Sequence, residues 1–212
     1  MVFLQLRPTG SYDLKSDDLE AIRRAGDQSK GVGTLGVKLF LASLSFLFGA
    51  SILLYLVVLL PAAPPEQPVL PVVGLGLALS TMVMLASSFT YWLALRAIGE
   101  DDRQAFRRMM TWTLVLGLGF MASQGYNWWE LVASGLPLDA SNRYSALFLV
   151  MTVLHALHVV GGLIPLAVVT AKARRGEYTA KSHEGATNVS LYWHFLDVVW
   201  LLMLVAIVIA TA

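Results

Sequence analysis

The chain has 212 residues, of which 57% are hydrophobic and 14% charged, with net charge +1 and mean hydropathy +0.66. That balance departs far from a soluble composition and identifies a membrane protein, with no basic face of the kind nucleic acid requires. The absence of cysteine excludes disulfides, thiolate clusters, Cys-anchored haem and a cysteine nucleophile, and four histidines leave little for any redox centre.

Residues 1 to 34 mix both signs of charge and lack a continuous apolar core, so no cleavable signal is expected and this stretch reads as a cytoplasmic segment. Within it, Asp17 to Gly26 predicts a short surface helix, capped by Asp17, closed by Glu20 and stopped by Gly26. Gly31-Val32-Gly33 lacks the strand and helix that would flank a nucleotide-binding loop.

Residues 35 to 212 form one transmembrane domain by the same reading. Five apolar runs follow, at Leu35 to Leu60, Val69 to Leu95, Met109 to Ala133, Tyr144 to Ala171 and Gly185 to Thr211. Each is near the roughly 20 residues that cross a hydrocarbon core of about 30 Å. The joints are the proline-rich stretch Pro61 to Pro68, the charged stretch Gly99 to Arg108, Gly135 to Asn142, and Lys172 to Ser182. Of the fifteen Lys and Arg, six lie in the N-terminal segment through Lys38, four between Arg96 and Arg108 and four between Lys172 and Lys181. Only Arg143 falls on the other side, which predicts a cytoplasmic N-terminus and a C-terminus outside. Tyr91, Trp92, Trp112, Tyr192 and Trp193 are then expected at the inner interface, with Trp128 and Trp129 at the outer one.

Small residues mark expected helix contacts: Gly74, Ala78 and Ser80 in the second run, Gly117, Gly119 and Ser123 in the third, Gly161 and Gly162 in the fourth. Pro165 removes a hydrogen bond to the carbonyl of Gly161 and is expected to bend the fourth helix. The expected architecture is an all-α bundle of five transmembrane helices.

Polar side chains inside these runs come in pairs three residues apart: Gln124 and Asn127, His155 and His158, His194 and Asp197. Such spacing puts each pair on one side of its helix and predicts a polar seam across the last three helices. Depth counted along the helices brings Asp197 level with His155 and His158, so a cross-helix pair between them is expected. The seam can be a structural hydrogen-bond knot, a proton or ion path, a haem or metal site, or a quinone or lipid pocket. No nucleophile and base pair and no Cys/His zinc spacing accompanies it.

The segment Tyr192-Trp193-His194-Phe195-Leu196-Asp197-Val198-Val199-Trp200 closely resembles the last helix of subunit III of haem-copper oxidases, the cytochrome c and quinol oxidase family. Upstream, Leu79-Ser80-Thr81, Ala86-Ser87-Ser88-Phe89-Thr90, Gly99-Glu100-Asp101-Asp102-Arg103, Gln124 followed by Trp128-Trp129-Glu130-Leu131, and Leu154-His155-Ala156-Leu157-His158-Val159-Val160-Gly161 resemble the family's motifs in order. Leu39 to Ser43 resembles the start of its first common helix. The resemblance covers residues 35 to 212 and implies the short five-helix form.

It implies an accessory, non-catalytic subunit in a bacterial inner membrane, carrying no haem or copper of its own. Its implied partners are the catalytic subunit I, which holds those cofactors, the other oxidase subunits and bound phospholipid; its implied role is to support stability and proton uptake. Arg96, Arg103, Trp193 and Trp200 are the candidates for contact with lipid or a partner. Three family glutamates are replaced, by Leu44, Asn127 and Thr187, which also fits a divergent member such as the subunit III-like protein associated with nitric oxide reductases. A small independent transporter is the alternative outside the family.

Overall fold

The computed structural model describes residues 16–59, 75–133 and 143–211. They form five α-helices: α1 Ser16–Leu59, α2 Leu75–Gly99, α3 Arg103–Ala133, α4 Arg143–Arg175 and α5 Glu184–Thr211. The proline-rich joint 61–68, the joint 135–142 and Gly74 lie outside the described residues, as does the Asp17 side chain expected to cap the N-terminal surface helix; Glu20, expected to close it, is exposed. The chain divides into two compact units, Met1–Leu39 and Phe40–Ala212.

The expected stop at Gly26 is not there, because α1 continues from Ser16 without a break. Glycine inside a helix costs about 1 kcal/mol relative to alanine but does not end it, and no proline follows to do so. Four helices contain stretches long and apolar enough to cross a membrane, at Val32–Val58, Gly76–Gly99, Ala146–Arg175 and Glu184–Ile209. This is an integral membrane protein. The expected apolar run at Met109 to Ala133 corresponds to α3, which is long enough but differs in composition, with arginines at its start and Tyr126 to Glu130 near its end.

Within residues 40 to 212, helices consecutive in the chain alternate in direction, and α1 runs the same way as α5. Ser87 and Ser80 of α2 meet Thr113 and Gln124 of α3, and Thr170 and Arg174 of α4 meet Met110 and Thr111 of α3. Thr81, Ser87 and Ser88 of α2 meet Trp200, Trp193 and His194 of α5. Aromatic rings from α1 cover the other side of α4 and α5: Phe48 lies 5.1 Å from the His158 ring and Phe40 stacks 6.0 Å from Tyr192. The core therefore has two parts. One joins α2, α3, α4 and α5 around Tyr91, Phe120, Leu166 and Trp193; the other joins α1, α4 and α5 around Phe48, Tyr55, Met151 and Met203.

Two expected belt residues are inside. Tyr91 and Trp193 are buried in the first core, because each has a polar partner there that an interface would otherwise supply: the Tyr91 hydroxyl donates to the Ala186 carbonyl at 2.8 Å, and the Trp193 indole to Ser87. Trp92, Trp112 and Trp129 are exposed. Helix α4 continues through Pro165 as one element. Of the small residues, Gly117 admits the Trp193 ring and Gly162 admits Tyr192, where an added Cβ would lie 2.9 Å and 2.8 Å from ring carbons. Gly119 and Ala78 are instead exposed.

Two tight turns close the end of the bundle where α2 meets α3 and α4 meets α5. The expected long joint from Gly99 to Arg108 shrinks to three residues, because Asp102 caps α3 by accepting the Ala105 amide at 2.9 Å. Asp101 ends α2 in the left-handed region at φ 57°, with the Asp102 amide bonded to the Ala97 carbonyl at 2.9 Å. Gly176 ends α4 in the same way at φ 75°. The Asp101 carboxylate also accepts the Ala180 amide at 3.2 Å, so one turn holds the other.

Two outcomes follow from this packing. Gly162→Ala should destabilise the detergent-purified protein by about 1–3 kcal/mol, since the Tyr192 ring is pinned by its own hydrogen bond, whereas Gly161→Ala should be neutral or stabilising by up to about 1 kcal/mol; thermal unfolding compares them. The Ala180 amide, then the Arg103 guanidinium, hold the Asp101 carboxyl below the usual carboxylate range. A carboxyl whose pKa is lower folded than unfolded contributes stability above its ordinary value and loses it as pH falls through its own lower value. Hydrogen-exchange protection at Ala180, relative to its intrinsic rate, should therefore persist through mildly acidic pH and vanish only below it. In Asp101→Gly, which keeps the left-handed turn but removes the acceptor, that protection should be absent at every pH.

Candidate functional site

The polar chemistry inside the bundle is organised by α2, whose hydroxyls repeat at seven-residue spacing as Ser80-Thr81 and Ser87-Ser88. Seven residues are two helical turns, so these four groups lie along one side of α2. From α3, the Gln124 amide donates to Ser80 Oγ at 2.8 Å. From α5, the Trp200 indole N–H donates to Thr81 Oγ1 at 3.1 Å and the Trp193 indole N–H to Ser87 Oγ at 3.2 Å. The Ser87 hydroxyl donates in turn to the Thr113 carbonyl at 3.1 Å, and Thr90 and Thr113 join through their hydroxyls at 2.9 Å. Ser88 Oγ bonds the His194 Nδ1.

The segment from Tyr192 to Trp200 distributes its side chains over all four other helices, with Tyr192 and Phe195 packing on Phe40 and Phe48 of α1. Trp193 and Trp200 enter the core beside α2 and α3, so neither reaches lipid or a partner as expected from sequence; both indoles find their acceptors inside the chain. Tyr192 and Leu196 press on Gly162 of α4, and the Tyr192 hydroxyl donates to the His158 carbonyl at 2.9 Å. His194 and Asp197 face α2.

That azimuth separates Asp197 from the histidines of α4. Its nearest ionisable group is His194 on its own helix, with Oδ2 3.7 Å from Nδ1, and neither carboxyl oxygen has a hydrogen-bond partner among the described residues. The expected pair with His155 or His158 is not formed. Equal depth was necessary for it but not sufficient, because the side of α5 that meets α4 is occupied by Tyr192 and Leu196. His155 is buried between Phe48, 6.0 Å away, and Trp200, 5.5 Å away, with no partner for either ring nitrogen among the described residues. His158 bonds the Leu154 carbonyl through Nδ1 at 2.7 Å.

The six residues expected to form one seam therefore occupy three places. Gln124 and Asn127 face α2, where Asn127 Oδ1 fills the space beside Gly76; His194 and Asp197 face Ser88; His155 and His158 face α1. Arg96 and Arg103 are both exposed and ion-paired, with Glu100 and Asp101, each at 3.3 Å. Leu44 is buried in the second core, and Thr187 bonds the His183 carbonyl at 3.4 Å.

Among the described residues no three His, Asp or Glu are gathered closely enough to hold a metal ion. Ser87, Ser88 and Thr81 are the residues that sequence reasoning left out of the site. Their seven-residue spacing was the available signal.

The chain matches the family described as cytochrome c oxidase subunit III over residues 27–211. It is 37% identical over 139 residues to a probable cytochrome c oxidase subunit 3 of Nocardia farcinica, covering 65% of this chain and 66% of that protein, slightly under two thirds of its length. Cytochrome c oxidase subunit 3 of Synechocystis is 33% identical over 176 residues, covering 81% of this chain and 73% of the relative. That of Thermostichus vulcanus is 32% identical over 180 residues, covering 84% and 87%. With the polar core organised around the same aromatic and hydroxyl segments that carry the likeness, the chain belongs to the cytochrome c oxidase subunit III family.

Proposed function

We propose that this protein is an accessory subunit of a haem-copper terminal oxidase in a bacterial inner membrane, bound to the catalytic subunit I and carrying no redox centre itself. The family match over residues 27–211 is the observation that carries the reading. The donor set agrees with it: there is no cysteine, and four histidines are too few for a haem-copper ligand set. The haem and copper would reside in the partner. This chain would contribute rigidity, bound phospholipid and support for proton uptake.

A fifth crossing, by α3, is supported by its running antiparallel along both α2 and α4, beside their apolar spans. A cytoplasmic N-terminus is supported by the basic residues beside the α2–α3 and α4–α5 turns, which the Asp101 to Ala180 hydrogen bond joins at one end. The relatives named above carry the oxidase name, and no observation favours a nitric oxide reductase or transporter reading.

Affinity purification of the tagged chain from native membranes should recover a larger haem-containing subunit in stoichiometric amount, while the chain purified alone shows no Soret band. Recovery as a lone carrier would overturn the reading. Asp197→Asn should lower the yield of assembled complex more than the turnover of what assembles, measured as oxygen consumption per haem.

A further inference from the structure

The His194 ring is held at one nitrogen and left open at the other. Ser88 binds Nδ1 and the Tyr91 ring packs 6.0 Å from the imidazole, whereas the hydrogen bonds formed by the ring among the described residues involve Nδ1 and not Nε2, and the side chain is 37% exposed beside the α2/α5 contact. The depth of that exposed edge is set by both helices. His194 lies ten residues from Glu184 and Ser88 eleven from Gly99, about 15–16 Å along each helix and so near the middle of a core of about 30 Å. At that depth neither water nor a lipid headgroup is at hand, and an imidazole nitrogen facing hydrocarbon alone is costly.

Helical spacing places Leu85 and Trp92 beside Ser88 on α2, and Val198 and Leu201 beside His194 on α5; all four are exposed. The surface is thus an apolar strip with one polar point at its centre. His158 differs, because its ring packs edge-on against Phe48 of α1.

We infer that the α2/α5 face is the surface on which a membrane-spanning helix of the partner subunit docks, presenting a hydroxyl or amide side chain to His194 Nε2 at mid-depth. The inference rests on the accessory-subunit reading and names the face that reading leaves open. Asp197 selects the partner's chemistry. Its carboxyl already stands 3.7 Å from the imidazole, so a second carboxylate would crowd one ring with two acids, and a lysine or arginine would compete with the ring for Asp197. A neutral group that both donates and accepts pairs with Nε2 in either protonation state.

A photo-crosslinking residue at Val198, in cells making the whole complex, should join this chain to the large partner subunit, while the same residue at Ile164, exposed on α4, should join it to lipid. His194→Leu should lower co-purification of the partner about threefold to tenfold, the range expected of one hydrogen bond between helices in lipid, and His194→Gln should restore most of it. Val198→Trp, which adds bulk outside the fold, should lower co-purification in the same way if His194→Leu fails to accumulate. Crosslinks from Val198 to lipid alone or to a second copy of this chain, or partner crosslinks from Ile164 in their place, would overturn the inference while leaving the accessory role intact. Failure of the unsubstituted chain to recover any partner would instead overturn the accessory role.

Discussion

Lipid offers no hydrogen bonds, and the bundle answers that constraint with the hydroxyls of one helix. Ser80, Thr81, Ser87 and Ser88 on α2 engage an amide from α3, two indoles from α5 and one imidazole, so α2 is the common partner of its two neighbours. Serine and threonine suit the task because a short side chain lets helices approach while still offering an acceptor. Trp193 shows how far the arrangement depends on it. Its ring fits against α3 only because Gly117 has no side chain, and its N–H can be buried only because Ser87 accepts it.

The same arrangement explains why α5 carries so unusual a run of residues. Two tryptophans, a tyrosine, a histidine and an aspartate within nine positions would read as an active site in a soluble protein. Here each is committed to a structural contact: both indoles and the imidazole to hydroxyls of α2, the tyrosine hydroxyl to the backbone of α4, and the carboxyl to the neighbourhood of the imidazole, 3.7 Å away. The segment meets all four other helices at once.

Much of this was legible beforehand, because hydropathy and length govern where a chain enters lipid. The spans, the basic turns and the small residues at Gly117 and Gly162 all carry signals that depend on one position and its near neighbours. Azimuth does not. Whether Asp197 meets His158 or Ser88 depends on how α5 is rotated, and that rotation follows from Tyr192 and Leu196 settling on Gly162, a contact between segments about thirty residues apart. Tryptophans misled for a related reason: composition places them at an interface on average, while Trp193 and Trp200 find buried acceptors that only the assembled bundle provides. Gly26 misled because a glycine ends a helix only where the following backbone turns left-handed, as Gly176 does and Gly26 does not.

Helix α1 is attached differently from the rest. Among the described residues its backbone makes no close approach to another helix, and from Phe40 onward it holds to α4 and α5 through Leu44, Phe48 and Tyr55. Those partners are encoded about a hundred residues or more downstream. During synthesis the α1 segment therefore enters the bilayer long before its seat exists. It must wait there, with a row of aromatic side chains facing acyl chains, until α4 and α5 have been inserted; the later helices, not the earlier ones, complete its seat.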